Sequence, residues 1–288
     1  MPSVVITGVS TGIGYAAAAE LCRRGYRVFG SVRNEDQARR LLQDFGALFT
    51  PLLLDVTDTG AVRASAERVK SAIGDSGLAG LINNAGISNP GPLSLQSPEI
   101  VRQHFEVNVL GVVHTVQAFL PLLRRKGTAA RPGRIVNISS VSGRIAYPFM
   151  GSYAASKHAV EALSDSLRRE LLIYGVDVIV IQPGAIDTPI WDKAAHIRSE
   201  YRGTDYGSVL AGIDLLATRR SALPVAAVTR RIVAALEHKK PKARYAIPDQ
   251  RFKYWLAPRV LPDRWLDRII ARMLKFKKVR DDLEQEPP

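Results

Sequence analysis

A tyrosine and a lysine in this 288-residue chain are spaced in a way that suits acid–base chemistry. Tyr153 and Lys157 stand four residues apart in Tyr-Ala-Ala-Ser-Lys, at the start of a helical pattern, so both lie on one face of a helix. Of the nine tyrosines, only Tyr153 has a lysine four residues later. A phenol has a pKa of about 10, and a neighbouring ammonium lowers that pKa because it stabilises the phenolate. Tyr153 is therefore a candidate general acid or base.

Two serines precede this pair by 13 and 14 residues. Ser139 and Ser140 follow an apolar run, 135–138, that we predict to be a buried strand. Ligands of open α/β sheets bind at the carboxyl ends of the strands. The hydroxyl of Ser140 could hold a substrate oxygen beside Tyr153, and from the residues alone Ser139 competes for that role.

A glycine-rich segment, Thr7-Gly8-Val9-Ser10-Thr11-Gly12-Ile13-Gly14, joins a first apolar strand to an alanine-rich helix. Glycines there allow positive φ and a close approach of the backbone to a pyrophosphate, while the helix N-terminus offers free N–H groups. Its place at a strand-to-helix junction favours a phosphate site over a merely tight turn.

The elements that must position these residues alternate between short apolar runs and helical patterns, which is typical of a parallel sheet covered on both faces. Six βα units are visible. Strands are predicted at 4–6, 27–32, 52–54, 80–82, 135–138, 176–181 and 244–247, and helices at 16–24, 35–45 and 225–237. We expect one α/β domain over 1–250, a substrate-loop insertion at 189–224 of irregular structure, and an extension over 251–288.

The glycine spacing, four then two, resembles the T-G-x-x-x-G-x-G motif of the short-chain dehydrogenase/reductase family. Further motifs of that family recur in order between about residues 3 and 190: Asp55, Asn83-Asn84-Ala85-Gly86, Asn108, Ser140, Tyr153 with Lys157, and Pro183-Gly184. The resemblance implies a doubly wound Rossmann fold of about seven parallel strands and a nicotinamide-dependent oxidoreductase. It supports Ser140 over Ser139 by the offset of 13, and it assigns Asn108 to a water that links Lys157 to solvent. The implied catalytic residues are Asn108, Ser140, Tyr153 and Lys157.

The residue types at the end of the second predicted strand indicate whether NAD or NADP is preferred. This segment reads Gly-Ser-Val-Arg33-Asn34, without the carboxylate that would hold the ribose of NAD. A guanidinium can hold the 2′-phosphate of NADP, so NADP(H) is favoured over NAD(H). Thr11 stands where many members of the family carry a second basic residue. Asn83 is expected to tie neighbouring strands. The cofactor contacts implied by the resemblance are Gly8, Ser10, Thr11, Gly12, Ile13, Gly14, Arg33, Asp55, Val56, Asn84, Ala85, Gly86, Tyr153, Lys157, Pro183, Gly184, Ile186 and Thr188.

Apolar residues flank the candidate catalytic groups and favour a hydrophobic alcohol or carbonyl substrate. The segment from Ser140 to Phe149 is similar to that of 17β-hydroxysteroid and retinol dehydrogenases, which implies a steroid-like, retinoid-like or other lipophilic substrate. The expected substrate contacts are Ser140, Ser142, Tyr147, Phe149, Tyr153 and Trp191. A catalytically silent cofactor sensor or scaffold on the same fold is the alternative.

Positive charge is concentrated near the C-terminus. The chain carries 40 Lys and Arg against 27 Asp and Glu, a net charge of +13, and residues 251–280 hold ten basic and two acidic side chains. After Leu261-Pro262-Asp263 a helix is predicted whose apolar stripe consists of Leu266, Ile269, Ile270, Met273 and Leu274. This helix could pack on the body or on another subunit and cap the substrate cleft, or it could lie on an anionic membrane. No recognised nucleic-acid-binding module accompanies the charge, so nucleic acid is not expected as a partner.

The remaining features narrow the class of protein. The five histidines show no metal-ligand spacing, and neither a G-x-S-x-G elbow nor a G-K-[ST] loop is present, so we expect no metal. The single cysteine, Cys22, suits a reducing compartment. No signal-like segment or apolar run of about 18 residues is seen, which favours a cytoplasmic protein with peripheral membrane contact at most. A homo-oligomer, dimer or tetramer, is the expected assembly.

Overall fold

The computed structural model describes residues 1–124, 132–189, 197–212, 222–247, 260–274 and 276. Seven parallel strands form one sheet in the order β3-β2-β1-β4-β5-β6-β7. The strands are β1 Ser3–Ile6, β2 Arg27–Val32, β3 Phe49–Leu53, β4 Gly80–Asn83, β5 Arg134–Ile138, β6 Asp177–Pro183 and β7 Arg244–Ile247. The doubly wound fold predicted from the sequence is confirmed.

Helices cover both faces of this sheet. They are α1 Gly12–Arg23, α2 Glu35–Phe45, α3 Thr59–Ile73, α4 Pro98–Phe105, α5 Gly111–Leu123, α6 Gly151–Glu170, α7 Ile197–Glu200, α8 Gly207–Gly212, α9 Val225–Glu237 and α10 Asp263–Met273. A π-helical turn, Glu106–Leu110, joins α4 to α5. Leu21 of α1, Leu41 of α2 and Ile232 of α9 pack in the core on one face. Val69 of α3 and Phe119 of α5 pack in the core on the other.

A buried chain of hydrogen bonds crosses the middle of the sheet. Asn83 Nδ2 donates to Asn137 Oδ1 over 2.8 Å, between β4 and β5. Thr115 Oγ1 donates to Asn83 Oδ1, and Asn137 Nδ2 donates to Ser164 Oγ. Asn83 therefore ties neighbouring strands, as predicted, and also joins the sheet to α5 and α6.

The largest differences from the sequence prediction are in three places. Helix α1 begins at Gly12 rather than at residue 16, so the last glycines of the loop form its first turn. Strand β3 begins at Phe49 rather than at 52, and contains Pro51; proline is tolerated because β3 is an edge strand. Residues 197–212 of the predicted irregular insertion form α7 and α8, and Tyr201 between them is buried.

One continuous helical stretch, Pro98–Leu123, is long and apolar enough by length and composition to cross a membrane. Half of its most apolar window is buried inside the protein, as in the core helix of a soluble protein. Because such a core helix passes the same test, this stretch is weak evidence for a membrane span.

Candidate active site

The site lies at the carboxyl ends of β1, β4, β5 and β6. The chain crosses from β3 at one edge of the sheet to β4 beside β1, so the strand order reverses direction there. In open α/β sheets this reversal creates a crevice at the carboxyl ends of the strands. The glycine-rich loop after β1 and the N-terminus of α6 both open onto it.

The glycine-rich loop is built for close contact with an anion. Gly8 and Gly12 have φ of +70° and +61°. A Cβ on Gly14 would lie only 2.2 Å from the carbonyl oxygen of Gly8, so a side chain there would fill the turn. Thr11 at the N-cap of α1 makes no side-chain capping bond within the described structure, and the first turn holds no acidic residue. The N–H groups of α1 are thus available to a phosphate.

Neighbouring strands fix the position of this loop. The hydroxyl of Ser31 on β2 accepts a 2.8 Å hydrogen bond from the N–H of Gly8. Thr7 Oγ1 accepts from the N–H groups of Asn84 and Ala85, both over 2.9 Å. The amide of Asn84 donates in turn to the carbonyls of Thr7 and Gly8. The roles of Thr7 and Ser31 were not predicted from the sequence, although a small hydroxyl residue at a strand end is the signal for them.

Two guanidinium groups belong to the region of the predicted 2′-phosphate. Arg33 is exposed directly after β2. Arg40, in the second turn of α2, donates to the carbonyl oxygen of Ser10 in the glycine-rich loop. Arg40 was missed because nothing in a helical surface arginine indicates its target. The glycine cradle and these cations suit a dinucleotide phosphate chemically.

The other predicted cofactor residues lie at or directly after the carboxyl ends of parallel strands, at the same edge of the sheet. Asp55 accepts hydrogen bonds from the N–H and hydroxyl of Thr57, and Val56 is buried. The Gly184 N–H donates to the Ile247 carbonyl over 2.6 Å, which holds the loop after β6. A Cβ on Gly12 would lie 3.4 Å from Thr188, so Thr188 reaches the glycine-rich loop. Ser10, Ile13, Ala85, Gly86, Pro183 and Ile186 belong to these same loops and strand ends.

Tyr153 lies in the first turn of α6 and is partly buried. Burial raises the pKa of Tyr153, and the nearby Ser140 hydroxyl acts in the opposite direction. Lys157, one turn further on, is buried and donates to the carbonyl oxygen of Ile138 over 2.9 Å. Its Nζ lies 5.8 Å from the centre of the Tyr153 ring. Burial lowers the pKa of Lys157 to about 8, against an opposing effect of the Glu161 carboxylate.

The two candidate serines have different surroundings. Ser140 Oγ accepts a 3.0 Å bond from the N–H of Ser142 and lies 3.3 Å from the Pro183 carbonyl oxygen, to which it can donate. Ser139 Oγ is buried against the position of Gly143 and has no hydrogen-bond partner within the described part of the chain. Ser140, not Ser139, is therefore the hydroxyl next to Tyr153.

Asn108 sits in the π-helical turn between α4 and α5, and such turns are frequent at functional sites. Its Oδ1 accepts from the N–H of Ile87 over 2.8 Å, and its Nδ2 donates to the Ile87 carbonyl and to Ser156 Oγ, both over 3.0 Å. A Cβ on Gly86 would lie 3.2 Å from Asn108 Oδ1 and 3.7 Å from Lys157 Nζ. The structure thus brings Asn108 and Lys157 to the same short loop after β4.

A second set of buried polar residues supports that loop and was missed in the sequence. His104 on α4 accepts from the N–H of Asn89 through Nε2, and its ring lies 6.2 Å from that of Tyr153. Gln96 donates to the Asn89 carbonyl and accepts from Ser152, the residue before Tyr153. Burial lowers the pKa of His104. The neutral imidazole is therefore favoured, which suits its acceptor role.

The predicted substrate side is lined by aromatic rings. Phe149 has φ of +68°, and it alone among the described non-glycine residues has a positive φ. Its ring packs edge-on against Tyr206 at 5.8 Å and lies 6.0 Å from Phe276. Such strain in a bulky residue is concentrated at functional sites. Ser142 and Tyr147 lie on the same segment between β5 and α6, whereas Trp191 is outside the described residues.

Comparison with known proteins establishes the family. A sequence model described as short chain dehydrogenase matches residues 2–198. The chain belongs to the short-chain dehydrogenase family. It is an enzyme of the oxidoreductase class. It is 41% identical over 277 residues to the NADPH-dependent 3-dehydrocapnine reductase of Ornithobacterium rhinotracheale, covering 96% of this chain and 98% of that protein. It is 43% identical over 197 residues to human retinol dehydrogenase 16, covering 68% of this chain and 60% of that protein.

Solved structures of other short-chain dehydrogenases share the fold. One from Burkholderia cenocepacia, in complex with NADP, is 28% identical and aligns with a TM-score of 0.70 over 96% of this chain and 98% of its own. One from Burkholderia phymatum, in complex with NAD, is 26% identical and aligns with a TM-score of 0.75 over 97% and 96%. A nicotinamide dinucleotide is therefore the cofactor class of this fold, and both forms occur among the neighbours.

Proposed function

We propose that this short-chain dehydrogenase is an NADP(H)-dependent oxidoreductase that interconverts a lipophilic alcohol and its ketone or aldehyde. The observation that carries the proposal is the position of Tyr153, whose ring lies 5.8 Å from the buried Nζ of Lys157 and whose pKa is affected by the nearby Ser140 hydroxyl. The phenol is the proton donor or acceptor, and the serine hydroxyl holds the reacting oxygen.

The chain's own residues account for the proton in this proposal. In the direction of reduction, the Tyr153 O–H donates a proton to the substrate oxygen, which the Ser140 hydroxyl orients through a second hydrogen bond. The Lys157 ammonium then stabilises the phenolate. Asn108, held in the π-helical turn, supports the Gly86 loop beside Lys157 and is proposed to hold the water that returns the proton from solvent. The bound nicotinamide supplies or accepts the hydride.

Preference for NADP(H) is proposed from the charges at the end of β2. Arg33 is exposed there, and Arg40 lies on the glycine-rich loop through its bond to Ser10. Two guanidinium groups favour a phosphate over a ribose hydroxyl pair. A relative that aligns over almost the whole chain is named for its dependence on NADPH, which supports the same choice.

A lipophilic substrate is proposed from the rings beside the catalytic pair. Phe149 packs with Tyr206, Tyr201 and Leu210 into a small apolar cluster. Several relatives are named for retinol, which is an apolar alcohol and would suit such a cluster. Residues 1–250 would form the catalytic domain and 251–288 an extension. A cytoplasmic location and a homo-oligomer remain predictions from the sequence.

Replacing the Tyr153 phenol tests the proposal directly. Tyr153→Phe removes the proton donor and leaves the crevice almost unchanged, so turnover should fall at least ~10²-fold while NADPH binding persists. Tyr26→Phe, before the amino end of β2 and near Glu237, is the matched control and should keep full activity. The assay is a spectrophotometric screen of NADPH and NADH against apolar ketones and aldehydes. Substantial turnover in Tyr153→Phe contradicts the assigned role, and no turnover of the wild type on any substrate favours the silent cofactor sensor.

The cofactor preference has its own test. Arg33→Asp removes one positive charge and introduces repulsion, so the ratio of kcat/KM for NADPH over NADH should fall. Arg63→Asp, an exposed arginine of α3, makes the same charge change away from β2. A wild-type enzyme that already prefers NADH would show the interpretation of Arg33 to be wrong.

A further inference from the structure

Helix α10, Asp263–Met273, carries an apolar stripe that faces away from the body. None of its described residues is buried. Trp265 is 59% exposed, Ile269 42% and Met273 63%. These three residues are spaced by four along the helix, so they line one face, which we call the exposed stripe. Large apolar side chains in a contiguous exposed row mark an interaction surface.

Arginines form a second row directly beside the exposed stripe. Arg264, Arg268 and Arg272 each precede a residue of the stripe by one position, so the two rows run parallel. Arg264 has a weak contact with Asp267 at 3.8 Å, with both side chains largely exposed. Flanking sequence adds more positive charge, because residues 251–280 hold ten basic and two acidic side chains. The charge of this surface is therefore strongly positive around an apolar centre.

The other side of α10 is less exposed than the stripe. Leu266, Ile270 and Leu274 are only partly exposed. Phe276, just beyond the helix, lies 6.0 Å from Phe149 at the proposed substrate site. The predicted apolar stripe thus divides into two faces, one partly covered and one exposed. The sequence pattern alone could not make this division.

We propose that the exposed stripe and its arginine row form a docking surface for an anionic lipid membrane, with α10 lying in the plane of the interface. Apolar side chains enter the acyl boundary, tryptophan favours the headgroup level, and arginines bind anionic headgroups while their stems cover apolar surface. The contact places the mouth of the proposed substrate site near the lipid through Phe276. This inference extends the proposed function but does not depend on its chemistry.

Charge complementarity favours a membrane over a second copy of the chain. In a two-fold symmetric contact the same surface meets itself, so the arginine row would be brought close to its own copy. Cores of protein interfaces are also depleted of charged residues. An anionic lipid surface satisfies the apolar stripe and neutralises the arginines at once.

Vesicle co-sedimentation of the full-length protein tests the surface. We expect binding to phosphatidylcholine vesicles that contain about 30% phosphatidylserine at low salt, and much weaker binding to phosphatidylcholine alone or at about 0.5 M salt. Replacing Arg264, Arg268 and Arg272 together by glutamine should lower the partition coefficient on the order of 100-fold, since each basic residue near the surface contributes roughly fivefold. Arg63→Gln with Arg68→Gln, on exposed positions of α3, is the matched control.

The apolar half is tested separately. The triple change Trp265→Gln, Ile269→Gln and Met273→Gln should abolish vesicle binding and keep turnover of a water-soluble substrate, because none of the three is in the proposed catalytic site. Leu172→Gln with Ile173→Gln is the matched control, since these side chains are 73% and 78% exposed elsewhere on the surface. The Trp265 fluorescence should shift to the blue on vesicle binding, and the shift should be absent in Trp265→Phe.

Three outcomes overturn the proposal. In the first, the wild type does not bind anionic vesicles at low salt. In the second, it binds phosphatidylcholine vesicles equally well and without salt dependence. In the third, the change of Trp265, Ile269 and Met273 to glutamine alters the oligomeric state and leaves vesicle binding intact, which would make a second copy of the chain the partner of this surface. Loss of turnover in Tyr153→Phe with normal vesicle binding separates a failure of the chemistry from a failure of the surface.

Discussion

The side chain of Asn108 links the helix α4–α5 to the loop after β4, and its removal should be costly. Asn108→Ala takes away the acceptor of the Ile87 N–H and the donor to the Ile87 carbonyl. Asn108 is almost fully buried, so water does not easily replace either bond. Each of the two backbone groups left unsatisfied costs about 1–3 kcal/mol, which gives about 2–6 kcal/mol in the free energy of unfolding. A domain whose free energy of unfolding is about 10 kcal/mol, in the middle of the usual range, remains folded after this loss.

The assay is urea unfolding followed by circular dichroism, with wild type and variant at the same pH. Ser156→Ala is the matched control, because it removes one of the three partners of Asn108 and leaves both bonds to Ile87. We expect about 1 kcal/mol for the control. A loss below about 1 kcal/mol in Asn108→Ala would refute the inference that its amide holds the Ile87 backbone. Turnover of Asn108→Ala should also fall, by roughly 10²-fold, since a displaced loop shifts Gly86 beside Lys157.

Three further outcomes are expected. The folded pKa of Lys157 is about 8 against 10.5 for the ordinary group, so the unfolded chain binds more protons between these values. Stability should rise from pH 8 to pH 10 on the order of 2 kcal/mol, and Lys157→Met should lack the rise. Gly14→Ala should lose about 1–3 kcal/mol and NADPH binding, because its Cβ meets the Gly8 carbonyl, whereas Gly203→Ala has open space and should be neutral in the same unfolding assay. Burial raises the pKa of the Cys22 thiol to about 11, so a thiol reagent should react with it only on unfolding.

The local sequence determined the order of elements and the chemistry of most candidate residues. Alternating apolar runs and helical patterns are local, so the seven strands and the main helices could be located from them. The glycine loop and the Tyr153–Lys157 spacing are also local, because backbone freedom and the helical repeat bring their parts together. The predicted starts of α1, which begins at Gly12, and of β3, the strand that contains Pro51, were wrong. Both depend on neighbouring segments that are distant in sequence.

Only the tertiary structure decided contacts between distant segments. Arg40 is a surface residue that donates to the Ser10 carbonyl, and His104 is a core residue that accepts from the Asn89 N–H. No periodicity in the sequence indicates either partner. The π-helical turn that carries Asn108 inserts one residue into a helix. This turn contacts α6, which is distant in sequence, so the sequence around Asn108 does not indicate where its side chain lies. For α10 the sequence gives an amphipathic helix with one broad apolar stripe. In the structure Leu266, Ile270 and Leu274 are partly covered, whereas Trp265, Ile269 and Met273 are exposed. The sequence could not separate these two faces, because exposure depends on the surrounding structure rather than on the stripe itself.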